Sequence, residues 1–71
     1  MTDLGIAVLD WEVRAVHAAL LEDDNLEIIA NIAEHTQLST WTVAAALRQL
    51  YTRGLVTWQS YEGVSHWWAC R

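Results

Sequence analysis

"LSTWTVAAALRQLYTRGLV", Leu38 to Val56, holds a complete helix with both of its ends written in. Ser39 is a strong N-cap residue, because its hydroxyl can accept a hydrogen bond from a backbone N–H of the first turn. Val43, Ala46, Leu47 and Leu50 recur at helical spacing and form one apolar stripe. Gly54 stops the helix directly after Arg53, where a cation complements the negative end of the helix dipole. The pattern predicts a helix over about 40–53. At roughly 100° per residue, the side opposite the stripe carries Trp41, Ala45, Arg48 and Thr52, with Ala44 and Gln49 at its margins.

Upstream, Leu9, Val13, Val16 and Leu20 make a second stripe, predicting a first helix over about 10–22 with Asp10 as its N-cap. "EDDN" at residues 22–25 interrupts it and supplies another cap. Leu26, Ile29, Ile32 and Ala33 then line a second helix over about 25–35, with Glu27, Asn31 and Glu34 turned outward and "HTQL" as the turn that follows. After Gly54 the period changes from helical to two. "LVTWQS" and "VSHWWACR" are rich in β-branched and aromatic residues and flank "YEG", whose glycine suits a tight turn, so residues 55–70 read as a β-hairpin. Adjacent Trp67 and Trp68 must point to opposite faces, and the pattern predicts that one of them is exposed. Residues 1–8 read equally as a strand, with Leu4, Ile6 and Val8 alternating, or as an arm folded against the first helix.

A chain of 71 residues supports at most one domain, near the size at which core burial only just offsets chain entropy. With 54% apolar residues, no proline and three glycines, it has no disordered tract. Its first residues, "MTDLG", lack the basic and apolar regions of a signal peptide, and no apolar run approaches the ~20 residues a membrane span needs. The lone Cys70 cannot form an intrachain disulfide, which suits a reducing compartment. Together these predict a soluble, cytoplasmic protein. The charge is polarised: residues 1–35 hold eight acids and one base, residues 36–71 hold Arg48, Arg53 and Arg71 against Glu62, and the two halves make up the net −5. Potential near a surface matters more than net charge, so a basic half facing a polyanion is compatible with an acidic molecule.

From Ile29 to about Trp68 the chain resembles the DNA-binding domains of the MarR, ArsR and GntR group of regulators. The resemblance rests on "IAEHTQLSTWTVAAALRQLYTRGLV", with its apolar-Ala-Glu helix end, Leu-Ser, Thr-Val, two leucines three apart and Gly-Leu-Val, all in spacing without a gap. It implies a single winged helix-turn-helix domain over residues 1–71, mostly α with a small β part, in which the hairpin is the wing. It further implies that the helix starting at Ser39 lies in the major groove of duplex DNA while the wing touches phosphate or the minor groove. On that docking the DNA-facing residues are Ser39, Thr40, Trp41, Thr42, Arg48, Gln49 and Arg53, with His66 from the wing. The chain departs from the group at Ala44 and Ala45, where polar residues are common; alanine meets at most a thymine methyl. Arg48 is therefore the principal candidate, for a guanine or a phosphate.

A tight DNA binder neutralises about six to ten phosphates. One copy supplies three arginines in its basic half and a two-fold dimer twice that, while Glu27 and Glu62 would oppose phosphate. DNA binding thus calls for a homodimer, and Trp11, Ala15 and Ala18 give the first helix a second apolar side as its candidate interface. A competing reading takes Trp41, Ala44 and Ala45 as an apolar patch for a protein partner, for example a phage-encoded module that binds a host protein. Metal and enzyme chemistry find no support. His66 and Cys70 lie four strand residues apart at ~3.3 Å each, too far to share a zinc, His17 flanks the core stripe, and no CxxC, HxxxH, phosphate loop or nucleophile elbow occurs. The expectation is a small DNA-binding protein, a transcriptional regulator or accessory factor of mobile DNA, without cofactor; the alternative is a protein-interaction module.

Overall fold

Each apolar stripe finds the others. Val13, Val16 and Leu20 from the first helix, Ile32 and Ala33 from the second, Val43, Ala46, Leu47 and Leu50 from the third and Val56 from the hairpin form one core, all at 7% exposure or less. The computed structural model describes residues 8–70; the reading of residues 1–7, and the charges of Asp3 and Arg71, fall outside them. The order is α1 (Asp10–Glu22), α2 (Ile29–Thr36), α3 (Thr40–Thr52), β1 (Val56–Tyr61) and β2 (Val64–Ala69). This is the expected mostly helical architecture, three helices followed by an antiparallel hairpin. No described helix is long and apolar enough to cross a membrane.

α1 starts one residue earlier in its capping than its sequence suggests. Leu9, not Asp10, is the N-cap, with extended backbone, and its N–H donates to the Glu12 carboxylate at 2.8 Å. Leu9 consequently leaves the stripe and is 55% exposed. Asp10 becomes the first helical residue and pairs with Arg14 at 3.1 Å, a solvated contact one turn apart.

α2 begins at Ile29, later than the sequence pattern indicates, because the backbone before it is committed elsewhere. Asp23 accepts from Asn25 N–H through its side chain at 2.9 Å and from Leu26 N–H through its carbonyl at 3.2 Å, which turns the chain. Ile28, the residue that caps α2, is extended, and the Glu27 carbonyl before it accepts from Trp67 N–H of β2 at 2.8 Å. Leu26 and Glu27 therefore lie on a short irregular segment beside the hairpin, not on a helix. Gln37 closes α2 in the left-handed conformation, φ 64°, with its side-chain amide donating to the Glu34 carbonyl at 2.9 Å.

α3 has the ends its sequence specifies. The Ser39 hydroxyl accepts from Thr42 N–H at 3.2 Å and donates to the Thr42 hydroxyl at 2.8 Å. At the other end Gly54, at φ 77°, permits Leu55 N–H to reach back to the Leu50 carbonyl at 2.9 Å.

β1 and β2 pair in a register that sets Val56 opposite Ala69, Trp58 opposite Trp67 and Tyr61 opposite Val64. The two-residue loop Glu62–Gly63 has positive φ at both positions, 54° and 82°, the geometry whose twist matches that of a hairpin. The register also settles which tryptophan faces inward. Val56 is in the core, so Ala69, Trp67 and Trp58 share its face, and Trp67 packs on the core while Trp68 turns outward. The expectation that one of the pair is exposed fails, since both are half-buried. The Trp67 indole N–H is buried without a hydrogen-bond partner among the described residues. Trp68 is sheltered by stacking on His66 and by the cleft it forms with Leu20, Leu26 and Glu27.

Candidate nucleic-acid interface

The outer side of α3 is open along its length. Trp41 is 63% exposed, Thr40, Arg48, Gln49, Thr52 and Arg53 are exposed, and Ala44 and Ala45 are half-buried between them. α3 contains no acidic residue, and among the described residues no carboxylate pairs with Arg48 or Arg53. Both cations are therefore available to an external anion.

The predicted DNA-facing residues divide into three groups. Arg48, Gln49 and Arg53 come together with Thr52 around one shallow groove of about 320 Å³ at the C-terminal half of the helix. Within it the Thr52 hydroxyl donates to the Arg48 carbonyl at 2.9 Å and the Arg53 guanidinium donates to Gln49 Oε1 at 3.4 Å. These contacts orient the two polar side chains without neutralising either arginine. Ser39 and Thr42 are spent on each other as the helix cap, which leaves Thr40 and Trp41 as the free side chains of the N-terminal turn. Trp41 stands two turns, about 10 Å, along the axis from Arg48.

His66 belongs to a different cluster. Its Nδ1 lies 3.0 Å from Glu27 Oε1, it is half-buried, and it sits edge-on to Tyr61 at 5.2 Å and stacked over Trp68 at 6.3 Å. The indole N–H of Trp68 first, and His66 second, hold the Glu27 carboxyl below the ordinary glutamate range. This bridge ties β2 to the segment before α2, and it occupies the acid that the sequence placed against phosphate. Sequence reasoning missed the pair, because 39 residues separate its members and neither carries a local signal of the other.

On α1, Trp11 is 54% exposed, Ala18 is exposed and Ala15 half-buried, so the second apolar side exists as a surface. Among the described residues no three histidine, cysteine or acidic side chains gather as a metal site. No family model matches this chain, and comparison with curated proteins and with solved structures returns no significant match.

Proposed function

We infer that this protein binds duplex DNA, as a homodimer, through the outer side of α3, and acts as a regulator or accessory factor at DNA. One observation carries the reading: Arg48 and Arg53 stand exposed and unpaired by any described carboxylate, beside Gln49 and Thr52, on a helix without a single acid. A planar guanidinium with free donors matches phosphate or the edge of guanine, and glutamine matches adenine. The polar cluster lies in the C-terminal half of α3, while the N-terminal half offers Thr40 and Trp41, so phosphate contact outweighs base reading and sequence selectivity is modest. The engagement of Glu27 by His66 and Trp68 supports the reading, since it gives that acid a partner inside the molecule.

A second reading, a protein-interaction module, is favoured by the 63% exposure of Trp41 beside Ala44 and Ala45. Aromatic anchors on a small apolar patch are a common centre of protein interfaces. Fluorescence anisotropy of a labelled duplex at low salt, with Arg48→Ala and Trp41→Ala compared, separates the two. DNA binding weakened more by Arg48→Ala than by Trp41→Ala is the expected result. Absence of duplex binding at low salt, with a partner protein captured by the native chain and lost on Trp41→Ala, overturns it in favour of the second reading.

A further inference from the structure

The junction between α1 and β2 concentrates negative charge on a cleft. "EDDNLE", residues 22–27, holds four acids in six positions. α1 ends there with no basic residue in its last turn, so the negative end of its dipole adds to them. Asp23, Asp24 and Glu27 line a cleft of about 200 Å³ together with Trp67 and Trp68. Asp23 and Glu27 are half-buried, and Glu27 is fixed in place by the Trp68 indole N–H and by His66, 3.0 Å away. Among the described residues no arginine lines the cleft: Arg14 is held by Asp10 near the start of α1, and Arg48 and Arg53 stand on the outer side of α3.

We propose that this cleft receives the guanidinium of an arginine side chain from a basic segment of a partner protein. The charge selects a cation and turns phosphate away. The walls select which cation. Among the described residues no three acidic, histidine or cysteine side chains gather about one point, so the carboxylates are spread around the cleft and not set to ligate a metal ion. Two indoles beside spread carboxylates suit a flat, delocalised cation, which stacks on an aromatic face and divides its donors among several acceptors. The ammonium of lysine is a compact, strongly hydrated charge and gains less there. Leu20 and Leu26, which also line the cleft, suit the methylene stem that carries the guanidinium. The size agrees as well. At about 200 Å³ the cleft lies below the roughly 300–1,000 Å³ of pockets that enclose a whole small molecule, and it suits one long side chain. It shares no residue with the groove around Arg48, so the inference stands independently of the DNA reading.

The probe is a synthetic peptide of arginines separated by glycines, blocked at both ends and titrated into the isotope-labelled full chain while the tryptophan indole N–H signals are followed by NMR. The Trp67 and Trp68 signals should move and saturate, and those of Trp11 and Trp41 should stay in place. Asp23→Asn with Asp24→Asn in one chain should weaken the peptide about tenfold with an unchanged circular dichroism spectrum, since asparagine at position 23 keeps the oxygen that accepts from Asn25 N–H and loses only the charge. The matching lysine peptide should bind several times more weakly. Trp67 and Trp68 signals that do not move at millimolar peptide overturn the proposal. So does a lysine peptide that binds as tightly, or an affinity that the Asp23→Asn and Asp24→Asn pair leaves unchanged. Signals of Trp67 and Trp68 that shift with protein concentration alone also overturn it, and place a second copy in the cleft.

Discussion

On its inner side α3 holds Val43, Ala46, Leu47 and Leu50 at 1% exposure or less, whereas on its outer side Trp41 is 63% exposed and Arg48, Gln49 and Thr52 face solvent. One helix thus separates the two tasks of a small domain. Every inner side chain is spent on a core with little surplus, and every outer one is free to change without unfolding the chain. The difference teaches that Ala44 and Ala45, half-buried between the sides, limit how much reading chemistry the outer side can carry.

The largest effect should come from breaking the inner side. Leu47→Ala removes a fully buried side chain and should cost about 2–5 kcal/mol in urea denaturation, with duplex affinity per folded molecule unchanged. The outer side should respond in the opposite sense. Arg48→Ala should leave stability within about 0.5 kcal/mol and weaken duplex binding by about 1–3 kcal/mol in an anisotropy titration. Ser39→Ala removes the cap that sets where both sides begin, and should cost about 1 kcal/mol of stability by the same urea measurement.

The smallest effect belongs to the bridge between β2 and the segment before α2. Because Trp68 and His66 lower the Glu27 pKa in the folded chain, the bridge contributes stability above the ordinary glutamate value of 4.5 and loses that contribution as the pH falls through the folded value. Thermal unfolding of the native chain and of Glu27→Gln should differ at neutral pH and converge at strongly acidic pH.

How much of this was legible follows from how local each cause is. α3 was readable to its ends because its cap at Ser39, its stripe and its stop at Gly54 all lie within a few residues of the helix they define. The start of α2 was not, because Leu26 fits a helical stripe as well as it fits a strand, and the group that decides the matter is the N–H of Trp67 on the far side of the chain. The same holds for Glu27, which looked like a solvated helix acid until His66 was placed beside it. The inward face of β2 needed only the register: once Val56 entered the core, Trp67 followed. Of the candidate interface, the outward position of Arg48, Gln49 and Thr52 came from helical geometry alone. The mutual engagement of Ser39 and Thr42, which withdraws two expected DNA contacts, depended on side-chain hydroxyl geometry that no spacing reveals.

The direct measure of the central claim, that the outer side of α3 meets a polyanion, is the salt dependence of duplex binding by the native chain and by Arg48→Ala. The native chain should lose affinity linearly in log K against log salt, and the variant should give a slope shallower by about 0.9 for each phosphate contact removed. Slopes that coincide would contradict the account, as would a native chain that binds no duplex at the lowest salt.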